Sequence, residues 1–189
     1  MATTALELCA AALLKVGAQP IDSLDGDTVE ATCARRFYGM IRDALLCAHP
    51  WTFARAQIDL MPQATAPIAD FAYAFTLPAD HLRTISVGAR GSGRGVAYRL
   101  QGGSILCDAE AITLTYQRRV DEGDLPAFFL PLLVNRLAAE LCVPLTENTS
   151  RAGDLLRLAE AELRLARLVD SQQGTPRQID DFTLVAVRG

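Results

Sequence analysis

Two histidines, His49 and His81, and five cysteines, Cys9, Cys33, Cys47, Cys107 and Cys142, are the residues of this 189-residue chain best suited to nucleophilic or metal chemistry. Their spacing supports neither. No serine elbow or patterned cysteine stands beside either histidine, so a nucleophilic triad has no support. The odd number of cysteines and the lack of a Cys-x-x-Cys pair speak against a disulfide framework and a zinc knuckle. Cys9, Cys33 and Cys142 fall among apolar residues at helical spacing and read as buried reduced thiols. His49 reads as a cap on the C-terminal end of a helix, where a cation is favoured.

Gly91-Ser-Gly-Arg-Gly95 has the glycine density of a phosphate loop. Such a loop leads into a helix, whereas Val96–Leu100 reads as a strand. A mobile hairpin tip is the better reading, and its arginines Arg90, Arg94 and Arg99 could meet a phosphate backbone or an acidic partner. Asp22, Asp25 and Asp27 lack the alternation of a calcium loop and fit turn and cap roles. Asp121, Glu122 and Asp124 precede a helix, where the dipole favours negative charge. Asp180 and Asp181 are neighbours in an extended tail and point opposite ways. Glycoside cleavage needs two carboxylates at a defined separation. Glu140 and Glu160 sit on helices among apolar residues, but spacing does not pair them. No catalytic, cofactor-binding or metal-binding residue is expected, and no cofactor.

The composition, 50% hydrophobic and 21% charged, suffices for a real core. No apolar run approaches the roughly 20 residues of a membrane span, and no secretory signal is visible. The net charge of −4 disfavours a general nucleic-acid binder, which is normally basic. Lys15 is the only lysine among 18 basic residues; a GC-rich genome and arginine's aptitude for interface ion pairs both account for this.

The elements that would position these residues divide at His49-Pro50-Trp51-Thr-Phe53. Pro50 cannot continue a helix, and the only tryptophan, Trp51, follows it with Phe53 on the same face of an extended segment. Before this junction, Thr4 and Glu7 form a capping box, and Leu6, Cys9, Leu13 and Val16 mark a first helix that stops at Gly17. A second box, Asp27 to Glu30, opens a second helix whose face carries Val29, Cys33, Phe37, Ile41 and Leu45. The two helices are expected to pack as an antiparallel pair. After the junction the period becomes two. Strands are expected over Trp51–Leu60, Phe71–Leu77, Leu82–Val87, Val96–Leu100, Ser104–Cys107 and around Ile112, Leu114 and Tyr116, forming one antiparallel sheet of five or six strands with a half-buried last strand. Gln101-Gly102-Gly103 is a hairpin turn. Helix then returns with Leu130, Leu133, Val134, Leu137 and Leu141, with Pro131 in its first turn and Pro144 at its end. The last helix, capped from Asn148–Ser150, carries an i,i+4 pair, Glu160 and Arg164. Its apolar band is wider than one core contact needs, leaving room for a second partner such as another subunit.

The expected fold class is therefore α+β: a four-helix bundle of residues 1–50 and 120–172, an inserted β-rich part at 51–119, and an extended C-terminal arm at 173–189. Ile179, Phe182, Leu184, Val185 and Val187 give the arm apolar residues too regular for a solvating linker, which points to docking on another polypeptide.

Leu14-x-x-Gly17-x-x-Pro20-Ile21-x-Ser23-Leu24-x-Gly26-Asp27 and Ala34-Arg35-x-x-Tyr38-x-x-x-Arg42-Asp43-x-Leu45-Leu46-x-x-His49-Pro50-Trp51-x-Phe53-Ala54 resemble the first half of phage head-to-tail adaptors, the tail tubular protein A-like family of short-tailed phages and related prophages. Phe75-x-Leu77-Pro78-x-Asp80-x-Leu82-Arg83 and Leu137-Ala138-x-Glu140-Leu141-x-x-Pro144-Leu145-Thr146 extend the resemblance over nearly the whole chain. It implies a structural virion protein without enzymatic activity, made in the host cytoplasm. Such adaptors form a ring, usually of twelve copies, between the portal protein and a distal, nozzle-like tail protein, and pass DNA without sequence-specific binding or membrane contact. The arm would reach the portal. Arg90, Arg94 and Arg99 would face the lumen or the next tail protein. The alternative is a tail-associated carbohydrate-cleaving hydrolase.

Overall fold

The computed structural model describes residues 3–174. Two helices, six short strands and two further helices follow one another, an α+β order. In α1 (Ala5–Val16), the Thr4 hydroxyl accepts from the Glu7 N–H at 3.2 Å and the Glu7 carboxylate accepts from the Thr4 N–H at 3.0 Å. Gly17 closes the helix at φ 79°. α2 (Val29–Cys47) is capped by the Thr28 hydroxyl, which accepts from the Ala31 N–H at 3.2 Å; the cap is not Asp27. Its buried face is Ala31, Ala34, Tyr38, Ile41 and Leu45, whereas Val29 is exposed and Cys33 and Phe37 are half-buried. Two alanines carry little weight in an apolar count, so the inward stripe was displaced from the expected one.

α3 (Leu130–Thr146) lies at the centre of the helical part. It packs on α1, on α2 and on α4 (Thr149–Ser171), while α1 and α2 barely meet. The expected α1–α2 pair is thus split by α3, whose buried residues, among them Leu132, Leu133, Val134, Leu137 and Leu141, lie on more than one face. Only a helix with neighbours on several sides buries such a set. Pro144 does not end α3 but stands inside it. It removes one N–H donor, yet the Thr146 hydroxyl donates to the Cys142 carbonyl at 2.7 Å and the Glu147 N–H to Val143 at 2.9 Å, and these bonds carry the last turn. Asn148 then caps α4 by accepting from the Arg151 N–H at 2.9 Å.

The strands form two antiparallel sheets of three, not one of five or six. The first is ordered β1 (Arg55–Leu60), β6 (Ile112–Arg118), β3 (His81–Ala89); the second β2 (Tyr73–Thr76), β5 (Ser104–Cys107), β4 (Arg99–Gln101). Phe75, Ile105 and Cys107 of the second sheet share one apolar cluster with Val87, Ile112, Leu114 and Tyr116 of the first. Splitting the strands lets two inward faces bury each other. Gly102 and Gly103, at φ 56° and 77°, make the expected β4–β5 hairpin. β1 begins at Arg55 because Trp51–Ala54 is a turn, in which the Trp51 N–H donates to His49 at 2.8 Å. β6 is buried on both faces, Thr113, Thr115 and Gln117 included; the expected solvent face does not exist.

Candidate functional site

The end of α2 is where the helical and sheet parts meet. The last carbonyls of a helix have no partner within it, and here side chains from four places supply them. The Trp51 indole N–H donates to Leu45 at 2.8 Å. Gln117 of β6 donates to Leu46 at 3.4 Å and His49 at 3.2 Å. Arg83 of β3 reaches Cys47, and Arg167 of α4 reaches Ala48, both at 3.1 Å. Two guanidinium groups at a helix C-terminus also complement its dipole. Trp51 is fully buried, with Phe129 edge-on at 5.3 Å and Phe53 at 5.7 Å. Through His49, Pro50, Trp51 and Phe53 the chain passes from α2 to β1 by a turn and not by the expected strand.

Asp170, buried near the end of α4, accepts from the Thr52 N–H at 3.0 Å and from its hydroxyl at 2.7 Å. His49 Nε2 lies 3.7 Å from the same carboxylate. Burial lowers the His49 pKa, Asp170 opposes this, and Arg167 and Arg83 add to the lowering. The imidazole is neutral at pH 7, so the expected cationic cap is supplied by the arginines instead. His81 is lowered as well, chiefly by burial; its Nε2 lies 2.9 Å from the Thr84 hydroxyl and its ring stacks on Tyr116 at 5.7 Å.

Glu122 does not serve the N-terminus of α3, since Glu122–Asp124 form a separate 3-10 turn. Its carboxylate accepts from the Tyr38 hydroxyl at 2.9 Å and from Arg42 at 2.8 Å. Burial alone would raise the Glu122 pKa, but hydrogen bonds from its own backbone, Tyr38 and Arg42 bring it below the ordinary value. Asp43 is likewise lowered, because bonds from Arg119 and Arg42 outweigh burial. All five cysteines are free thiols, and burial pushes Cys9 up to about 12, which makes it inert.

The glycine–arginine loop is fastened to the first sheet, not a free tip. The Ser86 hydroxyl donates to the Gly93 carbonyl at 2.6 Å, the Gly91 N–H to the Thr113 hydroxyl at 2.9 Å, and Gln57 to the Thr115 hydroxyl at 2.9 Å beneath it. A Cβ on Gly88 would collide with the backbone of Ser92 and Arg94. Arg90 pairs with Asp59 at 3.6 Å, and Arg99, in β4, with Asp70 at 2.8 Å. Among the described residues, Arg94 alone of the three has no carboxylate partner.

A groove of about 520 Å³ runs between α2, α3 and α4. Its floor is Ile41, Leu45, Leu132 and Ala159; Met40, Leu156 and Leu163 form its walls. Glu140 and Glu160 both lie on it, a juxtaposition spacing alone did not reveal. Glu140 is paired with Arg136 at 2.7 Å. The expected Glu160–Arg164 pair is absent, and Glu160 has no cation among the described residues. On another side of α4, Leu158, Leu165 and Leu168 are 53%, 53% and 57% exposed. The arm residues Ile179, Phe182, Leu184, Val185 and Val187 lie outside the described residues.

Among the described residues no group of histidine, cysteine and carboxylate side chains could hold a metal, and no helix is long and apolar enough to cross a membrane. No family model and no curated protein matches the chain. Sequence reasoning missed Arg83, Gln117, Arg167 and Asp170, whose roles rest on partners far away in the chain, and Met40 and Arg136, which acquire a role only once three helices meet.

Proposed function

We propose that this chain is a structural adaptor, one subunit of a ring placed between portal and distal tail in a phage virion, where it continues the DNA channel. The observation that carries this reading is the uncovered edge of α4. Leu158, Ala161, Leu165 and Leu168 are all exposed and follow spacings of three, four and three, the seam of a helix that packs on a partner. A ring needs such a patch, because each subunit must meet its neighbour through a surface unlike the one it presents on the other side. The four helices would form the ring's bundle, the strands would project, and the arm with Ile179, Phe182, Leu184, Val185 and Val187 would reach the portal. An acidic chain of net charge −4 suits a channel that DNA must leave, since adhesion grows steeply with each phosphate contact.

The test is to mix the purified chain with the cognate portal ring and weigh the product by native mass spectrometry. A complex with about one copy per portal subunit is expected. Two folded partners that form no complex would remove the reading.

A tail-associated carbohydrate-cleaving hydrolase draws on one observation, the two carboxylates Glu140 and Glu160 in one groove. The Arg136 pair on Glu140 works against it, because a general acid must hold a proton near neutral pH. Glu140→Gln and Glu160→Gln would each abolish turnover of a glycan on this reading and leave portal binding intact on the other.

A further inference from the structure

β1 ends the first sheet, and among the described residues no strand pairs along its outer side. The other sheet edges are taken or shorter. The Val96 N–H donates to the Val87 carbonyl of β3 at 3.0 Å, the Gln63 N–H donates to the Ala74 carbonyl of β2 at 2.7 Å, and β4 has only three residues. Open edges are usually blunted by proline, a bulge or brevity. β1 has six residues, no proline and an unbroken register, from Arg55 opposite Gln117 to Leu60 opposite Ile112. The Ala54 carbonyl accepts from the Arg118 N–H at 2.8 Å. Bonding alternates along an antiparallel ladder, so the even-numbered residues bond β6. The backbone groups of Gln57 and Asp59 and the Arg55 carbonyl then point outward, while the Arg55 N–H closes the turn on Thr52 at 3.4 Å.

We infer that this edge takes the β1 edge of a second copy of this chain, antiparallel, with Gln57 opposite the partner's Gln57 on a two-fold axis. Of the registers that join outward-facing groups, this one alone sets Arg55 opposite the partner's Asp59 and Asp59 opposite the partner's Arg55. Arg55 is exposed and has no carboxylate partner among the described residues, and Asp59 holds only Arg90, at 3.6 Å. Each side chain therefore has a charge to offer. A slide of two residues loses both ion pairs. A slide of four sets Arg55 opposite Arg55 or Asp59 opposite Asp59, and like charges directly opposite are unfavourable.

The other face of the strand agrees with this register. Ala56 and Ile58 stand opposite Tyr116 and Leu114, on the face turned to the second sheet. Ile58 is 40% exposed at the edge. In the pair it lies opposite the partner's Ala56, so apolar side chains meet on one face. The ion pairs form on the other, where the Thr113 hydroxyl already donates to Asp59 at 2.6 Å. Main-chain bonds supply the attachment and alternate side chains the selectivity, as in strand addition generally. Because the helical part precedes Arg55, the antiparallel direction carries the two helical parts to opposite ends of the joint sheet. The inference does not rest on the adaptor reading. A ring joins unlike surfaces, so on that reading the pair is the free chain before assembly.

Sedimentation equilibrium of the full chain tests this. A dimer at micromolar concentration is expected. Arg55→Asp sets acid opposite acid and Asp59→Arg sets base opposite base, so each alone should weaken the dimer at least tenfold. An equal mixture of the two variants restores both ion pairs and should dimerise like the parent, which also shows that both fold. Gln57→Pro removes an outward N–H and no bond to β6; it should abolish the dimer while the far-UV circular dichroism stays that of the parent. Should Gln57→Pro not fold, the mixture decides. A monomeric parent, a dimer indifferent to these changes, or a mixture that stays monomeric would each overturn the inference. Leu165→Asp should leave the dimer whole; its loss there would give the contact to the α4 edge and overturn the inference too. Portal binding is measured separately, so its failure leaves this result standing.

Discussion

Asp170 and Thr52 lie 118 residues apart, yet one carboxylate takes both the backbone N–H and the hydroxyl of Thr52. Asp170 is buried but Thr52 is exposed, so water replaces part of what Asp170→Ala removes, and the loss of these charge-assisted bonds should cost about 1.5 kcal/mol, read as a lower urea midpoint. Trp51→Phe keeps most of the buried ring and loses the bond to Leu45; about 1 kcal/mol is expected, against about 3–5 kcal/mol for Trp51→Ala. A Phe variant as unstable as the Ala variant would refute the division between ring and N–H. The histidines set the pH response. His49 and His81 both have folded pKa values below the ordinary one, so the unfolded chain binds more protons below about pH 6.5. Stability is then full above that pH and falls as the pH drops through it. Asp43 and Glu122, lowered in the fold, add a further loss below roughly pH 4. Urea midpoints at pH 7.5 and 5.5 check the first step, and His49→Gln with His81→Gln should flatten it. At this scale the sequence revealed which residues matter locally, such as Thr4, Glu7, Asn148 and Trp51. It was silent on Arg83, Gln117, Arg167 and Asp170, because a long-range partner leaves no mark on its neighbours.

Among the elements, β6 shows how a local pattern misleads. Its alternating polar residues predict a wet face, but the loop at Gly91–Gly93 bonds the Thr113 and Thr115 hydroxyls, and the Gln117 amide donates to the end of α2. Thr113 and Thr115 are thus buried polar groups with partners, which periodicity reads as solvent contacts. Gly88 guards this arrangement, since any side chain there strikes the loop backbone. Gly88→Ala should lift the loop, seen as faster hydrogen exchange at Gly91 and greater trypsin cleavage after Arg90 and Arg94. An unchanged exchange rate would show that the loop does not depend on this contact. The helices were more legible than the sheets: caps and stops act within four residues, whereas the choice between one sheet and two is made by distant faces such as Phe75 and Leu114. Pro144 was misread because one missing N–H is a small loss when Thr146 and Glu147 bond around it.

For the whole molecule, the test of the α4 edge is separation of folding from assembly. Leu165→Asp and Leu168→Asp change exposed residues, so each should alter the unfolding free energy by no more than about 0.5 kcal/mol. Both should lower occupancy of the portal ring at least tenfold. Retained assembly would release α4 from that role. The wide apolar band of α4 was legible from its leucines alone; the groove was not, since it exists only where α2, α3 and α4 converge. The end of α2 has a further consequence. Its carbonyls are held by β3, β6, α4 and the Trp51 turn together. Melting of the first sheet strips the Leu46 and Cys47 carbonyls of their partners, and melting of α4 strips that of Ala48, so the two parts are expected to unfold together. Calorimetry should record one heat-absorption peak for both parts, and a force applied to the strands would be borne at once by α4, making the molecule a stiff coupling and not two beads on a string.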